Sequence, residues 1–166
     1  MKGVNTLLRY FYNYPNNNSS FLIKLASIIN IEINNEKIWA VGSLVLTPKF
    51  HGDYPPAKEA KFDEIAHSFA KKVEKEGIVY ASFDEIQQIL QDTQYVREGV
   101  FICLPRLVDR SFQFFPLADV EDVEEIQHPL ALVEIRVIDG DIFEVLIKDL
   151  SFEEEIRNKI DKLIEN

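Results

Sequence analysis

One cysteine, one methionine, one tryptophan, three histidines and six glycines are all that this chain has of those residues. A lone thiol excludes an intramolecular disulfide, so any fold must stand on its packed core. Cys103 lies in the apolar run "VFICLP". No histidine neighbours it in sequence, so it reads as small buried filler and not as a nucleophile. Scattered glycines leave no room for a phosphate-cradling Gly-rich loop, and neither a G-x-S-x-G elbow nor an H-E-x-x-H helix is present. There is no Cys/His array and no D-x-D-x-D-G calcium loop, so no metal and no cofactor are expected. Long apolar runs are missing too. The longest uncharged apolar stretch, about "IWAVGSLVLTP" (38–48), is far short of the ~20 residues of a membrane span. Lys2 and Arg9 bracket an N-terminus without signal-peptide character, so the expectation is a cytoplasmic protein with no membrane partner.

Basic residues are in short supply. The chain carries 18 Lys and Arg against 28 Asp and Glu, a net charge of −10 over 166 residues. That balance repels nucleic acid and anionic membranes at long range, so no nucleic-acid partner is expected. The charge is uneven. Residues 1–60 hold 6 bases and 4 acids, for +2, whereas 61–166 hold 12 and 24, for −12. Hydrophobic residues at 46 % and charged residues at 28 % are a globular balance, and the length suits one domain spanning 1–166.

Turn formers mark two loops, "NYPNNNSS" (13–20) and "PKFHGDYPPAKEAK" (48–61). Between them, "IINIEI" and "KIWAVGSLVL" flank Asn34-Asn35 and read as a hairpin, while "FLIKLAS" fits strand or helix. Phe62, Ile65, Ala66, Phe69 and Val73 make one helical face, ended by Gly77. "IVYA" (78–81) reads as a strand. Ser82 and Glu85 have capping-box spacing for the next helix. "VFICL" (100–104) is a further strand, and "LALVEIRVIDGDIFEVLIKD" is two strands turning at Asp139-Gly140. Its apolar residues occupy both alternating faces, which suggests burial on both sides. A final helix has Ser151 as N-cap, a stripe of Phe152, Ile156, Ile160 and Leu163, and the pairs Glu153–Arg157 and Glu155–Lys159. The whole reads as an α+β fold: a mainly antiparallel sheet built from hairpins, with three to four helices packed on one face.

The densest charge is "ADVEDVEE" (118–125), five acids in eight positions. On a helix, Val120, Val123 and Ile126 would form an apolar edge beside a broad acidic face, with Asp119 at the start. From Arg110 to Arg136 no Lys or Arg intervenes. Asp119, Glu121, Asp122, Glu124 and Glu125 therefore read as a surface for a basic protein partner, against the plainer reading of a solvated face. Tyr10 and Tyr12, in the aromatic stretch "RYFYNYP" (9–15), are candidates for the same contact or for half-buried sheet positions.

His51 and Asp53, with His128 and Glu134, are the residues from which an enzyme site would be assembled. His67 points away from its helix's apolar stripe and should be exposed. Asp119, Glu134 and Arg136 weakly resemble the D…E-x-K arrangement of metal-dependent nucleases. Arginine in place of lysine is a poor base, and the acidic surroundings oppose a phosphate backbone, so ion pairing is the plain reading. The expectation is thus a non-enzymatic, immunity- or inhibitor-like acidic protein. The alternatives are an enzyme with a dispersed His/Asp/Glu site and a homo-oligomer that associates through its aromatic N-terminal segment.

Overall fold

The computed structural model describes residues 6–13, 17–51, 61–62, 64–111, 113–119, 125–148 and 150–165. Six strands form one antiparallel, open sheet: β1 (Thr6–Phe11), β2 (Lys37–Pro48), β5 (Ile78–Ala81), β6 (Thr93–Pro105), β7 (Val133–Ile138) and β8 (Ile142–Ile147). Their order is β1-β8-β7-β6-β2-β5. Among the described residues four helices, α1 (Ser19–Glu32), α2 (Glu64–Glu76), α3 (Phe83–Gln91) and α4 (Leu150–Glu165), complete the α+β fold. β3 (Phe50–His51) and β4 (Lys61–Phe62) pair with each other, and residues 52–60, most of the loop expected over 48–61, lie outside the described residues.

All four helices feed one core on a single face of the sheet. Leu22, Leu25 and Ile29 of α1, Val73 of α2, Ile86 and Leu90 of α3 and Ile156 and Ile160 of α4 meet Trp39, Phe101, Ile135, Phe143 and Val145. Cys103 belongs to this core, and burial pushes its thiol pKa up to about 12. At pH 8 that leaves a thiolate fraction of about one in ten thousand. A disulfide reagent is therefore expected to label the native protein orders of magnitude more slowly than the urea-unfolded chain. Labelling at equal rates in the two states would show that Cys103 is accessible.

The other sheet face carries a second core of Ile38, Ala40, Ile78, Val100, Ile102 and Leu104, covered by Val108, Ala118 and Ala131 from the β6–β7 connection (residues 106–132). With both faces covered, Val133 to Val137 are all buried, as the doubled apolar pattern of β7 implied. The β7–β8 turn has positive φ at both Asp139 (51°) and Gly140 (79°), the geometry that an Asp-Gly hairpin supplies. α3 has the full capping box, Ser82 Oγ accepting from Glu85 N and Glu85 Oε2 accepting from Ser82 N.

Four expectations are corrected. "IINIEI" is not a strand, and Asn34-Asn35 is not a hairpin turn. The segment continues α1 to Glu32, because Phe21, Leu22, Leu25, Ala26 and Ile29 bury one helical stripe and tertiary burial outweighs the strand preference of β-branched residues. Phe62 belongs to β4, so α2 begins at Glu64. Ser151 lies one residue inside α4, which begins at Leu150. Glu153 pairs with Arg157 as the spacing suggested, but Lys159 reaches Glu32 on α1 and so ties the two helices together.

Candidate functional site

Each strand of the second sheet face contributes every other residue, and register fixes which of them are neighbours. One row across the sheet reads Arg9, Glu144, Arg136, Val100, Gly42. The next reads Leu7, Leu146, Glu134, Ile102, Ala40. Two acids and two arginines therefore gather at the β1–β8–β7 side. Glu134, Arg136 and Glu144 are fully buried. Arg9, half exposed, donates to Glu144 Oε2 from Nε and Nη2 at 3.0 and 2.7 Å. Arg136 Nη2 donates to Glu134 Oε2 at 3.2 Å and to the Glu125 carbonyl. Balanced charge and hydrogen bonding make such burial tolerable.

The β6–β7 connection is fastened above these rows. Gln127 mimics a strand partner for Leu117, its Oε1 accepting from Leu117 N at 2.7 Å and its Nε2 donating to Leu117 O at 2.8 Å. The same Nε2 donates to Glu134 Oε1 at 2.8 Å, and Gln127 N donates to Glu134 Oε2 at 3.2 Å. Lys148 Nζ donates to the Pro129 carbonyl at 3.0 Å. His128 is buried, edge-on to Phe114, and its Nδ1 accepts from Leu130 N. Burial pushes its pKa below the ordinary histidine value, so the ring is neutral at pH 7. On the far side, Phe114, Phe115 and Pro116 cross two glycines. A Cβ at Gly42 would lie 2.1 Å from Pro116 Cγ, and one at Gly77 would lie 2.8 Å from the Phe114 carbonyl oxygen.

Leu117 and Gln127 bracket the acidic run, and their mutual bonds bring its two ends together. Asp119 and Glu125 are exposed beside them, while Ala118 is buried and Ile126 half-buried. Glu121, Asp122 and Glu124 lie outside the described residues, as does most of the helix expected over 118–126. The flanking positions 118–119 and 125–126 are not helical. Large apolar side chains stand exposed along the same connection: Leu107 (94 %), Phe115 (70 %), Leu117 (58 %) and Leu130 (51 %). Sequence reasoning missed these four and Gln127. For Phe115 and Leu117 the only signal was an uncharged apolar stretch, "FQFFPLA", without helix or strand period.

The remaining candidates are dispersed. Tyr10 and Tyr12 are half-buried against the helix-side core. Tyr12 stacks on Phe21 at 4.6 Å, and burial, helped by Asp161, raises the Tyr10 pKa to about 12. Phe11 between them is 71 % exposed. His51 lies on β3, His67 is exposed on α2, and Asp53 lies outside the described residues. Of the enzyme candidates, His128 on the connection and Glu134 beneath it both adjoin Gln127, but the Glu134 carboxylate is engaged by Gln127 and Arg136. Asp119 is at the surface and Glu134 in the interior, so the nuclease-like arrangement lacks two acids facing one opening. Among the described residues no group of three or more His, Cys, Asp or Glu side chains is placed to hold a metal, and no helix is long and apolar enough to cross a membrane. No family model matches the chain, and no curated protein or solved structure matches it either.

Proposed function

We propose that the protein is a non-enzymatic binding protein, immunity- or inhibitor-like and cytoplasmic, that holds a basic protein partner through the β6–β7 connection. The observation that carries this reading is the company the acids keep. Exposed Phe115, Leu117 and Leu130 stand on the same fastened connection as Asp119 and Glu125. Exposed apolar anchors provide affinity when a partner covers them, and the acids steer a basic partner to the place. An enzyme built from His51, Asp53, His128 and Glu134 draws less support, since His128 and Glu134 are buried and Glu134 is spent on structural bonds.

The test is capture from the source lysate with the wild type beside two variants. One changes Glu121, Asp122, Glu124 and Glu125 to Gln or Asn, and the other changes Phe115 and Leu117 to Ser. A basic protein is expected on the wild type, weakened about tenfold or more by either variant and released between about 50 and 500 mM salt. Capture of the same proteins by all three would remove the connection as a binding surface.

A further inference from the structure

A second surface lies on the opposite side of the molecule, where α1, α4 and the end of β1 meet. Two open hollows of about 370 and 290 Å³ adjoin there and share Lys24 and Leu163. Together they form one trough, within the size range of small-molecule sites. Ile28, Leu163 and Ile164 from the helices and Phe11 and Phe21 from the other end give it an apolar floor. Phe11 and Ile164 are 71 % and 45 % exposed, so the floor is open to a ligand. Three lysines, Lys24, Lys159 and Lys162, stand on the rim, and among the described residues no carboxylate lines either hollow. Glu32 engages Lys159, and exposed Lys24 sits at the junction of the two hollows.

We propose that this trough binds a single-headed anionic amphiphile, a free long-chain alkyl carboxylate, with its head at Lys24 and its chain along the apolar floor. Charge decides between occupants. A chain of net −10 repels an acidic protein face, a nucleic acid or an anionic bilayer as a whole, and every added charge of a polyanion adds to that cost. A single carboxylate meets only the local field, which the lysines make positive. The apolar floor then rewards length. Fully burying a methylene is worth about fourfold in affinity, and half-burial in an open trough about twofold.

The test titrates the full chain with octanoate, decanoate, dodecanoate and tetradecanoate below their micelle concentrations, read by calorimetry. The affinity is expected to rise about twofold per added methylene. Lys24→Glu should weaken every member about fivefold or more and leave the length dependence unchanged. Ile164→Asp should flatten the length dependence. Both positions are exposed, and a melting curve confirms that each variant folds. Dodecyltrimethylammonium should bind at least about fivefold more weakly than dodecanoate. Equal binding of the two head groups, no length dependence, or wild-type affinity in Lys24→Glu would overturn the proposal. Binding to phosphatidylglycerol vesicles with none to the monomeric carboxylates would overturn it as well, in favour of a membrane surface.

Discussion

Asn18→Ala is expected to lower the unfolding free energy by about 3–5 kcal/mol, among the largest effects of any single side chain outside the apolar core. Asn18 is fully buried just before α1, yet its amide does not cap that helix. It faces the sheet. Nδ2 donates to the Val96 carbonyl at 2.6 Å and to the Gly140 carbonyl at 2.8 Å, while Oδ1 accepts from Val96 N at 2.8 Å. The reason lies in register. β6 pairs with β7 from Gly99 to Cys103, so the β7 edge ends before Val96 is reached. Asn18 supplies there the donor and acceptor that a strand would have supplied, and it also ties β6 to the β7–β8 turn. Alanine leaves three buried backbone groups without these partners, each costing about 1–3 kcal/mol before relaxation. Thermal unfolding should fall by roughly 10 °C, at the ~2–4 °C per kcal/mol expected for this size. Hydrogen exchange at the Val96 amide should quicken first. Asn18→Asp gives a sign test. Its carboxylate would face two carbonyl oxygens, so the native state favours the protonated acid and holds its pKa above the ordinary ~3.9. The native state then binds more protons than the unfolded one, and stability falls as pH rises from the unfolded to the folded pKa. A pH-independent loss of stability in that variant would contradict the geometry.

Arg136→Met is expected to cost about 3–5 kcal/mol, because it strands Glu134 as a buried carboxylate without its cation. The guanidinium lies in the interior, bonded to Glu134 and to the Glu125 carbonyl, and in register with Glu144. The double variant Arg136→Met with Glu134→Gln should recover most of that loss. It removes both charges while leaving Gln127 one amide acceptor. Denaturant unfolding of the two single variants and the double variant measures the coupling directly. Additive losses would show that the two charges do not compensate each other. The double variant also separates structure from chemistry. A Glu134 held for structure can become Gln without loss of any function the protein has.

What the sequence disclosed was local. The capping box of Ser82 and Glu85, the helix stop at Gly77 and the turn at Asp139-Gly140 each depend on residues a few positions apart. The structure contains all three. The doubled apolar pattern of 132–138 likewise implied a strand covered on both sides. What stayed hidden depends on partners distant in the chain. α1 was obscured by its isoleucines, which favour strands until a sheet is present to bury them as a helical stripe. Asn18 looked like one of a run of turn formers, and its partners are 78 and 122 residues away. Nothing near Gly42 in the chain marks its role either, since Pro116, 74 positions on, occupies the space where a side chain would stand. Of the surface read from the acidic run, the charge was legible. The clamp of Gln127 on Leu117 and the exposed Phe115 were not, because irregular backbone has no period to read.

The pairing of β1 with β8 also sets a clock. Arg9 finds Glu144 only across 135 residues of chain. During synthesis at ~5–20 residues per second, "TLLRYF" therefore waits roughly 7–27 s for the strand that will receive it. Throughout that interval β2 and β6 can already be zippered, but the edge destined for β1 does not yet exist. A nascent chain thus carries an apolar, unpaired segment until residues 142–147 have been made. The same segment in a neighbouring chain offers an equivalent surface. Aggregation losses should accordingly depend on how fast translation delivers residues 142–147, and slowing it just before them should lower the yield of folded protein more than slowing it after them.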